Sequence, residues 1–178
     1  MTENQDLVDR IDPQLVFRKN LMRYAPRPVY QVEKEGVLYI LKPFDRNDDW
    51  QRRHIERESL VLQGAHDIEG ITHLVHDYGE INRYIAILKE FAEGEDLDQL
   101  GGQLNNTQLQ SQVEETVRGL HDLGYASMDI RPTNIVIGPN ESYAKIIDLG
   151  YCGLRNDVSG NEFERMKSND FHSLERLA

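Results

Sequence analysis

Apolar and polar positions alternate over several short runs in the first half of the chain. Because successive side chains of a strand point to opposite faces, this alternation predicts strands. We expect strands at residues 29–32, 37–44, 71–78 and 83–91. Glu33-Lys34-Glu35-Gly36 suits a turn between the first two strands, since glycine readily takes a positive φ, and residues 79–82 separate the second two. Helices are expected near Gln5–Ile11 and from Asp48 to Gly64.

The second half of the chain has helical spacing instead. Its apolar residues recur at intervals of 4, 4, 3 and 3 from Leu109 to Leu123, which predicts an amphipathic helix that begins near Thr107 and stops at Gly124. Two short strands at 134–137 and 144–147 and a last helix at 168–178 complete the pattern. Strands with one helix, followed by mostly helix, indicate an α+β protein in two lobes.

Length and charge narrow the class of protein. A chain of 178 residues is about the size of one domain. The formal net charge of −11 argues against nucleic acid or an anionic membrane as the main partner, because both require basic surface. The single cysteine, Cys152, forms no internal disulfide, which is typical of a reducing compartment. No apolar run reaches the roughly 18 residues of a membrane span, so we expect a cytoplasmic protein.

Two short polar segments carry the clearest chemistry. Asp129 and Asn134 lie five residues apart on a turn after the predicted helix, and Asp148 ends a hydrophobic strand before Gly150. Phosphoryl transfer needs an acidic group near the attacking hydroxyl, oxygen ligands for Mg²⁺ and a cation for the phosphates. Asp and Asn are also common turn formers, so the indication comes from all three residues together.

These segments resemble the protein-kinase-like family. Residues 129–134 match the spacing of its catalytic loop, H-R-D-x-x-x-x-N, and Asp148-Leu149-Gly150 matches its D-F-G turn. Tyr39-Ile40-Leu41-Lys42 looks like the V-A-I-K strand, and Glu58 looks like the glutamate of helix αC that pairs with the lysine. The resemblance covers about residues 25–178 and is nearest to the small Bud32-like and Rio-like atypical kinases.

Two further segments extend the resemblance. Residues 90–95 look like the hinge that holds adenine through backbone groups, which points to Glu90 and Ala92. Residues 169–175 look like the αF segment, whose aspartate, here Asp170, braces the catalytic loop. Three departures accompany them: residues 23–28 contain no glycine where a glycine-rich loop is expected, Ser127-Met128 replaces His-Arg, and there is no A-P-E segment.

The resemblance implies a two-lobed kinase-like fold in one domain, 1–178, with a β-rich N-lobe at 1–90 and a minimal helical C-lobe at 91–178. It implies ATP and Mg²⁺ as cofactors. Lys42, oriented by Glu58, would hold the phosphates. Mg²⁺ would bind to Asn134 and Asp148. The acceptor hydroxyl would be oriented by Asp129, while Arg131 would offset charge on the transferring group.

The expected reaction is phosphoryl transfer to a hydroxyl of Ser or Thr in a protein, the chain itself included. Two alternatives stay open: a pseudokinase that acts as a binding module, and a small-molecule kinase or ATPase subunit of a complex. The expected partners are a protein substrate or partner protein. The apolar spacing of Phe171, Leu174 and Leu177 further suggests that the last helix contacts another chain, in a homodimer or with a larger partner.

Overall fold

A computed structural model describes residues 3–22 and 28–178, and residues 23–27, most of the segment without glycine, lie outside this description. The described residues contain four α-helices and ten strands, which confirms the α+β class. They divide into two compact units. The first unit combines the chain up to Ser59 with His73–Phe91, and the second combines Leu60–Thr72 with Ala92–Ala178.

The first unit is built on a five-stranded antiparallel sheet. Its strands are β1 (Val16–Asn20), β2 (Tyr30–Lys34), β3 (Val37–Asp45), β4 (Leu74–Ile81) and β5 (Tyr84–Glu90), in the spatial order β1-β2-β3-β5-β4. Helix α1 (Glu3–Ile11) precedes the sheet, as expected, and helix α2 (Asp49–Gly64) follows β3. The predicted α2 and the first two predicted strands are therefore confirmed to within a few residues.

Both hairpin turns of this sheet are tighter than expected. Glu35 and Gly36 alone turn the chain between β2 and β3, with φ of 54° and 82°. Strand β4 begins later than predicted, at Leu74. It also ends later, at Ile81, because the turn begins only at Asn82, which has φ of 56°. Two-residue turns with positive φ match the twist of antiparallel strands, so pairing continues closer to the turn than composition suggests.

Helix α1 packs on part of one face of the sheet. Its Val8 and Ile11, with Leu15 beyond the helix, form a buried cluster together with residues of the sheet: Tyr30, Val32, Leu41, Ala86 and Leu88. Directly paired residues share a face, and Tyr30 lies opposite Leu41, which lies opposite Leu88. The amphipathic N-terminal segment therefore supplies three of the eight buried residues of this apolar core.

The second unit centres on helix α3 (Thr107–Asp122), which follows β6 (Glu95–Asp96) and is confirmed where the spacing predicted it. The side chain of Asn106 caps the helix by accepting hydrogen bonds from the backbone of Gln108 and Leu109. Strand β7 (Tyr125–Ala126) comes next, and the predicted pair of short strands is present as β8 (Ile135–Ile137) and β9 (Ala144–Ile146).

The last helix is longer than predicted. After β10 (Gly153–Leu154), helix α4 runs over Gly160–Glu175 and so begins well before Ser168. Ser159 caps it by accepting a hydrogen bond from the backbone of Glu162, and the Ser-x-x-Glu spacing is typical of a helix start. Within the described ranges no helix combines the length and the apolar character that crossing a membrane requires.

Candidate functional site

In the first unit, the predicted ion pair between β3 and α2 is present. Lys42 Nζ lies 2.6 Å from Glu58 Oε2, and the Glu58 side chain is only 1% exposed. A second lysine, Lys89 of β5, places its Nζ 2.5 Å from the other carboxylate oxygen, Glu58 Oε1. All three residues are buried, so one carboxylate of the helix bridges two neighbouring strands of the sheet.

Lys89 is a member of the site that the sequence analysis missed. It directly follows the continuous apolar run of residues 85–88 in β5, all of which are buried. A continuous apolar run is consistent with a strand that is buried on both faces, so this run was the signal that could have indicated a buried lysine. Burying a carboxylate is costly unless it is paired, and two ammonium groups provide that pairing here.

The two predicted hinge residues lie in different units. Glu90 ends β5 in the first unit, where its backbone N–H donates to the carbonyl of His73 at 2.8 Å. Its carboxylate accepts from the backbone N–H of His73 at 3.2 Å. Ala92 belongs to the second unit and is buried. The contribution of Glu90 and Ala92 to adenine binding stays a prediction.

In the second unit, three predicted residues meet on the segment after β7. The carboxylate of Asp129 accepts from Arg131 Nε at 2.8 Å and is also contacted by Arg131 Nη2. Asn134 Nδ2 donates to the Asp129 carbonyl at 3.0 Å and to its carboxylate at 3.3 Å. The structure therefore brings the predicted acid, the predicted cation and one predicted metal ligand into direct contact.

Asp148 is placed next to this cluster by the β8–β9 hairpin. Ile135 pairs with Ile146, and the backbone N–H of Ile147 donates to the carbonyl of Asn134 at 3.0 Å. Asp148 is the next residue, and its Oδ1 accepts from the backbone N–H of Gly150 at 3.2 Å. Pairing of β8 with β9 thus brings the backbone at Asp148 close to Asn134, although the two predicted metal ligands are far apart in sequence.

The donor set at this position fits Mg²⁺. Hard cations of this kind prefer carboxylate and amide oxygens. The amide nitrogen of Asn134 is directed at Asp129, so its Oδ1 is the end of the side chain that can face a cation. Asp148 adds a carboxylate on the adjacent backbone segment.

Asp170 of α4 holds the segment that carries Asp129. Its Oδ2 accepts from the backbone N–H of Ser127 at 2.8 Å, and its Oδ1 accepts from that of Met128 at 3.0 Å. Ser127 and Asp129 have φ of 61° and 53°, a conformation that costs non-glycine residues about 1–3 kcal/mol unless their surroundings enforce it. The predicted bracing contact from Asp170 is confirmed.

His121 completes this buried anchor and was also missed. Its Nε2 lies 2.9 Å from Asp170 Oδ2, and both residues are buried. His121 lies four residues after Val117 and eight after Val113 on α3, so the helical period already placed it on the apolar face. The pair connects α3 to α4 beneath the segment that presents Asp129.

Comparison with known proteins shows a distant similarity to a kinase. No family model matches the chain. Over 124 residues, or 65% of its length, the chain is 26% identical to a probable serine/threonine-protein kinase of Dictyostelium discoideum. The match spans 9% of that protein's length. The similarity supports a kinase-like relationship at this coarse level, and nothing in it distinguishes a Bud32-like or Rio-like subgroup.

Proposed function

We propose that the chain has a reduced two-lobed protein-kinase-like fold and transfers a phosphoryl group from ATP to a hydroxyl. The observation that carries this proposal is the cluster of Asp129, Arg131 and Asn134, which is held in place by buried Asp170. Asp148 lies on the backbone segment adjacent to Asn134. The similarity to a probable kinase supports the same reaction class.

Each residue of the cluster has a distinct role in this proposal. Asn134 and Asp148 hold Mg²⁺, which neutralises phosphate charge when bound. Asp129 accepts a hydrogen bond from the acceptor hydroxyl and so orients it for attack. Arg131 lies beside that carboxylate and offsets negative charge as the phosphoryl group moves.

In the first unit, Lys42 provides the charge for the non-transferred phosphates. Glu58 orients the ammonium group of Lys42, and Lys89 fixes Glu58 from the other side. The formed Lys42–Glu58 pair supports this role, because the corresponding ion pair must be in place in active protein kinases. Glu90 and Ala92 are proposed to hold adenine through their backbone groups.

The proposed acceptor is Ser or Thr of a protein, in line with the name of the Dictyostelium relative. A pseudokinase is the second candidate function, and the absence of glycine from residues 23–28 favours it, because close approach of backbone amides to phosphate is easiest at glycine. A small-molecule kinase would instead transfer the phosphoryl group to a small molecule, and an ATPase subunit would release it as free phosphate.

Incubation of the purified chain with γ-labelled ATP and Mg²⁺ distinguishes these functions. We expect label on protein hydroxyls. Release of the label as free phosphate would indicate an ATPase, and no turnover with retained ATP binding would indicate a pseudokinase.

Asp148→Asn should abolish Mg²⁺-dependent turnover and weaken Mg-ATP binding, whereas Asp129→Asn should lower turnover and preserve binding. Asp98→Asn, at an exposed position, is the matched control. An unchanged rate in Asp129→Asn would contradict the assignment.

Self-association through α4 is a further part of the proposal. Leu177 is buried, whereas Phe171 and Leu174 are half-buried. The Phe171 ring packs edge-on against His121 at 5.2 Å between centroids and lies under the guanidinium of Arg118. Part of the apolar face thus packs within the chain, and the remaining exposed part is proposed to contact another chain, either in a homodimer or in a larger partner. Light scattering at micromolar concentration tests the homodimer, which a monomer mass would contradict.

A further inference from the structure

Helix α1 leaves part of its sheet face uncovered. Val32 and Leu41 lie beneath the helix and are fully buried. Val32 is paired with Tyr39, and Lys34 with Val37, so these residues continue the same face toward the β2–β3 turn. Here the face carries a cavity of about 410 Å³. The cavity is lined by Asp12, Lys34, Glu35, Val37, Tyr39, Val75, His76, Tyr78 and Leu88.

The cavity has an apolar rim. Two of the lining residues, Val37 and Val75, are 51% and 48% exposed, which leaves two large aliphatic side chains in water. The rings of Tyr39 and Tyr78 form part of the wall, and both residues are half-buried. A volume of this size lies near the lower end of the range that holds small organic ligands, roughly 300–1,000 Å³.

The charge of the cavity favours a cation. Asp12 lies just past the C-terminal end of α1, and the carbonyl groups at that end add partial negative charge. Its Oδ2 accepts from the hydroxyl of Tyr78 at 2.7 Å, and its Oδ1 accepts from the backbone N–H of Gln14 at 2.9 Å. Glu35, in the exposed turn, supplies a second carboxylate.

The ammonium group of Lys34 already lies beside the Asp12 carboxylate. Its Nζ lies 3.5 Å from Asp12 Oδ2, which is longer than the roughly 2.7–2.9 Å of a close ammonium–carboxylate hydrogen bond. The Lys34 side chain is partly exposed, so it can turn toward solvent without losing a close contact to Asp12. A stronger cation from outside would therefore compete with Lys34 for the same carboxylate.

We propose that this cavity docks an arginine side chain that is presented by a basic segment of a partner protein. The guanidinium would replace the Lys34 ammonium at Asp12. A planar, weakly hydrated guanidinium also stacks on aromatic rings such as Tyr39 and Tyr78 better than an ammonium does. Apolar residues beside the arginine would cover Val37 and Val75. The net charge of −11 favours basic partners in general.

Titration of the ¹⁵N-labelled full chain with acetyl-Leu-Arg-Leu-amide tests this docking. We expect amide shifts confined to residues 12–14, 34–39, 75–78 and 88, together with binding at least tenfold tighter than that of the same peptide with citrulline in place of arginine. Acetyl-arginine-amide should bind several-fold more weakly than the tripeptide, because it lacks the apolar neighbours. Equal binding of the arginine and citrulline peptides would overturn the proposal.

Matched variants measure separately how the charged residues and the exposed valines contribute to peptide affinity. Glu35→Gln and Val75→Ser should each weaken binding several-fold, and Lys34→Gln should tighten it. Val16→Ser is the control, since Val16 is 46% exposed on β1 and is not among the lining residues. Asp12→Asn should reduce the arginine peptide to the affinity of the citrulline peptide. If Asp12→Asn fails to fold, the exposed Glu35 and Val75 variants decide the question.

Three other results would contradict the proposal that a basic segment of a partner protein occupies the cavity. If acetyl-arginine-amide binds as tightly as the tripeptide, the site serves a small organic cation and the valine rim has no part in binding. If the same amides shift with protein concentration before any peptide is added, a second copy of this chain covers the cavity. Equal affinities of Val75→Ser and Val16→Ser would likewise remove the role of the rim. Each of these outcomes is independent of phosphoryl transfer.

Discussion

Replacement of Glu58 by glutamine should strongly destabilise the first unit. The change preserves the shape of the side chain and removes a negative charge that lies 2.6 Å from Lys42 Nζ and 2.5 Å from Lys89 Nζ. Breaking a buried ion pair costs about 3–5 kcal/mol, because the remaining charge is no longer compensated. For a chain of this length, where about 2–4 °C of melting temperature corresponds to each kcal/mol, the midpoint should fall by roughly 6–20 °C.

Urea unfolding followed by tryptophan fluorescence measures this effect directly. Trp50 is the single tryptophan of the chain and lies in the first turn of α2, the helix that carries Glu58. Glu114→Gln is the matched control, since Glu114 pairs with Arg118 at exposed i and i+4 positions of α3. Loss of such a pair costs only about 0.3–0.5 kcal/mol.

A double-mutant cycle with Lys89→Met tests the bridging itself. Lys89→Met retains the contact between Lys42 and Glu58, so it should destabilise less than Glu58→Gln does. The combined variant should deviate from additivity by about 0.5–3 kcal/mol, as residues in one buried network do. If Glu58→Gln differs from Glu114→Gln by less than about 1 kcal/mol, or if the two buried changes are additive, the reasoning about this network is wrong.

Three further changes test other parts of the structure. Asp170→Asn should lower the free energy of unfolding by about 1–3 kcal/mol in a urea titration and reduce turnover as well, because an amide nitrogen in place of one carboxylate oxygen leaves the backbone N–H of Ser127 or Met128 without its acceptor. Gly94→Ala should cost more than about 1 kcal/mol by thermal melting, since Gly94 has φ of 142° and a Cβ would collide with the carbonyl of Ile137. Burial raises the pKa of Asp12, but hydrogen bonds, including the one from Tyr78, outweigh burial and lower the pKa below 3.8. Ionised Asp12 therefore stabilises the fold at neutral pH, and this contribution is lost as the pH falls through the folded-state pKa. In the Asp12→Asn variant, the midpoint of urea unfolding should therefore depend less on pH in that range.

Local pattern predicted the elements whose signals lie within one segment. Helix α3 was predicted from the spacing of Leu109 to Leu123, and its cap and its stop at Gly124 are also local signals. The turn at Glu35-Gly36 and the β8–β9 hairpin were visible for the same reason. The predicted start of α4 was wrong. The prediction relied on the apolar positions from Phe171 onward and overlooked the local Ser-x-x-Glu signal at the true start of the helix.

The candidate site divides in the same way. The spacing of Asp129, Asn134 and Asp148 could be read from the chain, since a turn and a strand end are local features. Lys89 and His121 were missed because their importance depends on a partner far away in sequence. Lys89 contacts a carboxylate 31 residues earlier, and His121 contacts one 49 residues later.

By itself, the sequence determined the α+β class, most of the strands and helices, and the residue types suited to phosphoryl transfer. Only the tertiary structure decided which charges are buried together: Glu58 between two lysines, and Asp170 beneath the segment of Asp129. It also decided that α1 covers only part of its sheet face and leaves a cavity beside Asp12. The physical reason is that periodicity and turn chemistry act over a few residues, whereas burial and ion pairing depend on segments that meet only in the folded chain.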